Sequence, residues 1–170
     1  MEYYLAPMEG LTSYIFRRAH HRYFSGVEKY YLPFISPTQD HLFTKRELKE
    51  LIPEHNEGFC AVPQLLTKRA EDFVWAASEL GKMGYPEVNL NLGCPSGTVA
   101  AKGKGSGFLR DPKGLQEFFV MPTNMDSPLL LPLLLPAVGK VWSKSTKLDI
   151  MPFRIIPMSL GGNRTGARVV

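Results

Sequence analysis

The sequence has few cysteines, no long apolar run and only a small charge imbalance. Cys60 and Cys94, its two cysteines, lie too far apart for a CxxC metal or redox motif. The longest apolar stretch, residues 128–138, is interrupted by Pro132 and Pro136 and falls short of the ~20 residues of a membrane span. The chain does not open with a basic and then apolar signal segment. These absences favour a cytoplasmic protein with no membrane segment and no bound metal.

The composition is that of a globular domain. With 170 residues and 44% hydrophobic content, the chain is long enough to bury a core within one domain. Twenty Lys and Arg against sixteen Asp and Glu give a net charge of +4. This mild excess is compatible with a polyanionic partner such as a nucleic acid, but it is also common in proteins without one. The oligomeric state stays open at this stage.

Residues 1–119 alternate short β-like runs with helical patterns, which is typical of βα units around a parallel sheet. About four such units are present, half of the number in an eightfold barrel. The sequence therefore predicts an α/β fold, a partial (β/α)8 TIM barrel, or some other open α/β arrangement. The predicted strands are Tyr3–Met8, Tyr30–Ile35, Phe59–Leu66 and Glu87–Leu92.

Two helices have predicted starts and apolar faces. Thr12 is predicted to cap the first helix and Thr67 the clearest helix of the chain, which ends at Gly84. Arg17 falls off the apolar face of the first helix. The two predicted apolar faces consist of Ile15, Phe16, Ala19 and Tyr23 in the first helix, and of Ala70, Phe73, Val74, Ala77 and Leu80 in the second.

Residues 120–170 follow a different pattern. They contain six prolines, show no sustained period of 2 or 3.6, and end in a Gly-rich basic stretch. We therefore predict two segments, an ordered domain over 1–119 and an irregular, Pro-rich tail over 120–170. The tail reads like sequence unrelated to the fold, as a frameshift or a mis-joined exon would produce, and we expect the chain to be an incomplete form.

The strongest chemical signal follows the fourth predicted strand. There, Asn89 and Asn91 alternate and so should point to the same side, and Cys94 follows in a tight Gly-Cys-Pro-Ser loop. Two inward amides are costly unless hydrogen-bonded, so they form either a polar layer or a site that reads a ring with donors and acceptors. A free cysteine is commonly a small buried hydrophobe, but a thiol in an exposed loop could act as a general acid.

Two further segments are ambiguous. Gln64 lies near the end of the third predicted strand, where it makes either a turn contact or a ligand contact. The Gly-rich run 102–107 does not fit the phosphate-loop pattern GxxxxGK[ST] and reads as a solvated loop. Because it is basic and lies beside the strand ends, this loop could also contact an RNA backbone.

Three segments, in this order, resemble the dihydrouridine synthase family. They read LAPMEGLTSYIFR from Leu5 to Arg17, NLNLGCPS from Asn89 to Ser96, and GSGFLRDP from Gly105 to Pro112. The family shares an opening LAPMEG(V/L)T…FR, a strand ending LNxGCPS, and a glycine-rich stretch before an Asp-Pro helix. Order, spacing and chemistry agree over about residues 1–119.

The resemblance implies an FMN-containing barrel with an added helical tRNA-binding domain. In the reaction it implies, NADPH reduces FMN, a hydride passes to C6 of a uracil extruded from its stack, and a cysteine protonates C5. By position, Gln64 would hydrogen-bond the flavin, Asn91 would hold the uracil and Cys94 would be the acid. The residues that would lie against the flavin are Ala6, Pro7 and Met8.

The resemblance ends at Phe119. The family's later Lys, Arg and His residues, its FMN-phosphate loops and its helical domain have no counterpart in residues 120–170. Two alternatives to a dihydrouridine synthase stay open. One is another FMN barrel of the dihydroorotate dehydrogenase type, which also presents an amide and a thiol or hydroxyl to a pyrimidine. The other is a non-catalytic remnant.

Overall fold

The computed structural model describes residues 3–123, which form a mixed α/β unit. Five short strands alternate with five helices. A 3₁₀ turn at Gly105–Arg110 precedes the last helix. The strands are β1 (Tyr4–Leu5), β2 (Lys29–Tyr31), β3 (Ala61–Val62), β4 (Gln64–Leu65) and β5 (Asn89–Leu90), and the helices are α1 (Tyr14–Tyr23), α2 (Lys45–Leu51), α3 (Ala70–Lys82), α4 (Gly97–Ala100) and α5 (Pro112–Thr123).

All strand pairs are parallel. β2 lies between β1 and β3, and β4 pairs with β5. Pro63 separates β3 from β4, but the chain runs on through it: the Val62 carbonyl accepts from Leu32 N–H on one side, and the Pro63 carbonyl accepts from Asn89 N–H on the other, both at 2.9 Å. The described strands therefore form a three-stranded ladder, β1-β2-β3, and a two-stranded ladder, β4-β5. The continuous Ala61–Leu65 segment and a bridge between Ile35 and Leu65 join the two into one open parallel sheet with β1 and β5 at its edges. The sequence predicted four strands, with β3 and β4 as one.

The main core lies between the sheet and helices α3 and α5. The predicted apolar face of α3 is confirmed, because all five of its residues are buried. Phe118 of α5 packs edge-on against Phe73 of α3, with ring centroids 5.5 Å apart. Gly84 ends α3 as predicted, at φ +94°, a conformation that costs glycine little.

The opposite face of the sheet carries a row of polar side chains beside the buried Tyr31 and Val62. Lys29 of β2 pairs with Glu87, which lies shortly before β5, and Gln64 pairs with Asn89 further along. These side chains come from alternate strand positions, as the period of 2 requires. The apolar residues between them, such as Leu65 and Val88, face the helices.

The first helix differs from its prediction. Ile15 and Tyr23 are 64% and 74% exposed, whereas Arg17, predicted to lie off the apolar face, is fully buried. Hydrophobic periodicity was wrong here because Arg17 has buried polar partners on other elements. The predicted cap residue, Thr12, is also wrong. Ser13 occupies the N-cap position, and the Thr12 hydroxyl accepts a hydrogen bond from Met8 N–H.

Two other boundaries shift. Arg69 occupies the N-cap of α3, and Thr67, predicted as the cap, accepts a hydrogen bond from Arg69 N–H. Helix α5 continues past the predicted boundary at Phe119 and includes the first residues of the predicted tail. The rest of the predicted tail lies outside the described residues. Within residues 3–123, no helix is long and apolar enough to span a membrane.

Candidate functional site

Three side-chain amides form a continuous hydrogen-bonded row on the polar face of the sheet. Gln64 donates from Nε2 to Asn89 Oδ1 at 2.9 Å. Asn91 in turn donates from Nδ2 to Gln64 Oε1 at 2.8 Å. We call these three residues the amide row. Gln64 and Asn89 begin β4 and β5, and Asn91 follows β5. The row therefore runs toward the carboxyl end of the sheet, the end at which α/β proteins bind ligands.

The amide row is tied to the cysteine loop through Asn91. Its Oδ1 accepts from Gly93 N–H at 3.1 Å and from Cys94 N–H at 2.9 Å. Cys94 itself is half-buried and makes no disulfide. The thiol is therefore carried on a loop whose backbone is fixed to a strand-end side chain.

The glycine-rich segment holds the same loop from the other side. Ser106 donates to the Cys94 carbonyl from both its backbone N–H, at 3.1 Å, and its hydroxyl, at 2.9 Å. Gly105 has a φ of +57°, and a Cβ there would lie 2.8 Å from the Cys94 carbonyl oxygen. Only glycine allows this close approach, so the Gly-Ser pair supports the position of Cys94.

The segment after β1 is held by a compact turn. The Thr12 hydroxyl accepts from Met8 N–H at 2.8 Å and donates to the Met8 carbonyl at 3.1 Å. Arg17 then donates to the Thr12 carbonyl at 2.8 Å. Ala6 and Pro7 are half-buried and Met8 is exposed, so these residues offer an apolar surface at the end of the first strand.

Arg17 belongs to a buried polar network behind this turn. It donates to Glu50 Oε2 at 2.9 Å and to Asn56 Oδ1 at 2.8 Å. Asn56 also donates to the hydroxyl of Tyr85, which donates to the Leu51 carbonyl. Burial raises the pKa of Tyr85 to about 12. The network therefore joins α1, α2 and the segment before β5.

Three lysines lie at the rim beside the cysteine loop. The Nζ of Lys68 comes within 3.5 Å of the position that a Cβ of Gly103 would take, so its side chain lies on the Gly-rich loop. Lys102 and Lys104 flank Gly103 in that loop. No ion pair engages these three lysines within residues 3–123. We call them the rim lysines.

The structure brings together Gln64, Asn91 and Cys94 of the predicted site residues. Ala6, Pro7 and Met8 lie at the same end of the sheet, but β2 separates their strand from β3 and β4. No group of His, Cys, Asp and Glu side chains among residues 3–123 could hold a metal ion. The supporting roles of Arg17, Thr12 and Ser106 were not predicted from the sequence, although all three lie inside the segments that carry the family resemblance.

Comparison with known proteins gives one consistent result. The family described as dihydrouridine synthase (Dus) matches residues 4–129. A probable tRNA-dihydrouridine synthase 1 from Synechocystis is 32% identical over 108 residues, which cover 63% of this chain and 29% of that protein. Probable tRNA-dihydrouridine synthases from Staphylococcus aureus and Staphylococcus epidermidis are 33% and 32% identical, over 64% and 66% of this chain and 33% and 35% of their own length. The chain thus spans about a third of the length of these relatives.

Proposed function

The chain belongs to the dihydrouridine synthase family, and from this premise we propose that it forms the N-terminal part of a (β/α)8 barrel that reduces uridine in tRNA to 5,6-dihydrouridine. FMN would be the cofactor, NADPH the reductant and tRNA the partner. The observation that carries the proposal is the hydrogen-bonded connection from Gln64 through Asn91 to the Cys94 loop. This connection joins the amide side chains to the loop that carries the thiol.

The residues at this site fit the ring of FMN. Ala6, Pro7 and Met8 offer apolar surface at the end of β1. Within residues 3–123 only one hydrogen of the Gln64 Nε2 is engaged, which leaves its second N–H for a ring heteroatom. When bound, FMN would supply the hydride that the uracil receives. We assign no residue of 3–123 to its phosphate.

The protein residues would orient the uracil and hold a proton. Asn91 would contact the uracil through the free hydrogen of its Nδ2, since the other hydrogen bonds Gln64. Hydride addition at C6 places negative charge toward C5 and O4, and the thiol of Cys94 would donate the proton that C5 takes up. The uridine must leave its stack to present its face to this site.

The rim lysines support a polyanionic partner. They are cations without a counter-charge among the described residues, and the loop that carries two of them is bonded to the loop of Cys94. A phosphate backbone would neutralise them while its target base enters the site.

The proposal can be tested in a chimera. In it, residues 4–123 of this chain replace the matching part of the Synechocystis relative. We expect its Cys94→Ala variant to oxidise pre-reduced flavin with unmodified tRNA roughly 10²–10⁴ times more slowly in single turnover, because the proton donor is lost. Flavin reduction by NADPH should not change, since that step needs no thiol.

Cys60→Ala is the matched control, because it removes the other cysteine of the chain. An unchanged rate for Cys94→Ala across neutral and mildly alkaline pH would make the thiol structural. Oxidation by orotate but not by tRNA would instead favour a dihydroorotate dehydrogenase type of activity.

A further inference from the structure

The amide row has a fixed direction. The oxygen and nitrogen of a carboxamide look alike, so their assignment must come from the hydrogen-bond network. Here the network decides, because the backbone N–H groups of Gly93 and Cys94 can only donate. Asn91 must therefore turn its oxygen toward them and its nitrogen toward Gln64.

The orientation of the Asn91 amide fixes that of Gln64, which in turn fixes that of Asn89. Because Asn91 donates to Gln64, the Gln64 oxygen faces Asn91 and its nitrogen faces Asn89. Asn89 must accept through Oδ1, which leaves both N–H groups of its Nδ2 without a partner among residues 3–123. At the other end, Oδ1 of Asn91 already accepts two bonds. The free capacity of the row is thus mainly that of a donor, and it is greatest at Asn89.

We infer that Asn89 is a specificity-determining residue, and that one of the two N–H groups of its Nδ2 donates to a carbonyl oxygen of the ring that occupies the site. The nature of the ring rests on the proposed function: flavin and uracil each carry two carbonyl oxygens and one ring N–H. Asn89 is half-buried on β5 beside Gln64. A row of the opposite direction would present oxygen there and would repel the same carbonyl. The loop of Cys94 therefore sets which ring edge the site accepts, although it does not contact Asn89.

Side-chain amide NMR of the full 170-residue chain tests the direction without any ligand. We expect one N–H of Gln64 and one of Asn91 to be protected from hydrogen exchange, and neither N–H of Asn89. In Asn91→Asp the carboxylate still accepts from the loop but cannot donate, so Gln64 and then Asn89 must turn round. Exchange of one Asn89 N–H should then slow roughly five- to tenfold, as one hydrogen bond of ordinary strength requires. Protection of Asn89 in the parent chain would overturn the inference.

FMN titration tests the ligand. Asn89→Asp keeps the acceptor for Gln64 but replaces both free donors by oxygen, so we expect FMN affinity to fall at least about tenfold. Gln116→Glu makes the same chemical change on the exposed side of α5 and should leave the affinity unaltered.

The outcomes separate the two proposals. If FMN shifts the Gln64 amide signals but binds Asn89→Asp as tightly as the parent, the role of Asn89 is overturned and the proposed function stands. If FMN shifts no side-chain amide signal of Gln64, Asn89 or Asn91, the FMN cofactor of the proposed function is contradicted. The binding of a ring carbonyl by Asn89 is then contradicted as well.

Discussion

At the scale of single residues, the largest stability effect should come from Arg17. Its guanidinium is fully buried and bonds to Thr12, Glu50 and Asn56 at once. Burial lowers the pKa of Arg17, and Glu50 opposes that shift. We expect Arg17→Gln to lower the free energy of unfolding by about 3–5 kcal/mol, because the partly buried Glu50 carboxylate loses its cation. Urea unfolding at fixed protein concentration measures the effect.

Arg18 provides the matched control for this prediction, since it is the next residue of the same helix but is exposed. Arg18→Gln should change stability by no more than ~0.5 kcal/mol. Equal effects of the two substitutions would show that the buried network contributes little. Arg17→Lys should fall between them, because it retains the charge beside Glu50 but loses the planar fork that reaches three partners.

At the scale of elements, the Gly-rich loop should contribute to RNA binding through the rim lysines. We expect replacement of Lys68, Lys102 or Lys104 by Ala to weaken binding of a tRNA transcript to the full chain. Each replacement should reduce the slope of log K against log salt by about 0.7–0.9, the value for one lost phosphate contact. Fluorescence anisotropy at several salt concentrations measures this slope.

Lys82 is a suitable control for the rim lysines, because it lies at the carboxyl end of α3, away from the strand-end site. Its ion pair with Glu79 is exposed, so Lys82→Ala should leave the fold intact. A slope that falls equally for Lys82→Ala would indicate a diffuse charge effect and would contradict a phosphate site at the rim.

The elements also show what the sequence can predict. The order of strands and helices, the buried face of α3 and its end at Gly84 follow from local periodicity and turn chemistry. The closeness of Gln64 to Asn91 follows from parallel strand ends. The burial of Arg17 could not be predicted, because its partners Glu50 and Asn56 lie far away in sequence. Hydrophobic periodicity treats such an arginine as solvent-exposed.

At the scale of the whole molecule, the apolar surface is distributed unevenly. Six of the ten exposed large apolar residues among the described ones lie within the first 24 residues of the chain. The described sheet is also open, with β1 and β5 at its edges. Exposed apolar surface and open strand edges both favour association between copies.

We therefore expect the 170-residue chain to self-associate when expressed alone. The average mass in sedimentation velocity should rise with concentration, and Ile15→Lys with Tyr23→Lys should lower it, because both side chains are exposed on α1. Leu42→Lys, at a similarly exposed apolar residue outside this region, should have little effect. A parent chain that stays monomeric with a sharp two-state melt would contradict this expectation.

Pro63 also affects which pairing register the Ala61–Leu65 segment adopts while the sheet assembles. In the native pairing its carbonyl accepts from Asn89 N–H, and its missing N–H costs at most one bond of the ladder. A slip of the Ala61–Leu65 segment by one residue would turn Gln64 toward the helices and Leu65 toward the polar face. The same slip would turn the Pro63 nitrogen, which has no N–H, toward β2. In the native sheet the Val62 carbonyl faces that side and accepts from Leu32 N–H. Misregistered intermediates are thus penalised by burial, and the bond that Pro63 cannot make would be lost on β2, which is more deeply buried than β5.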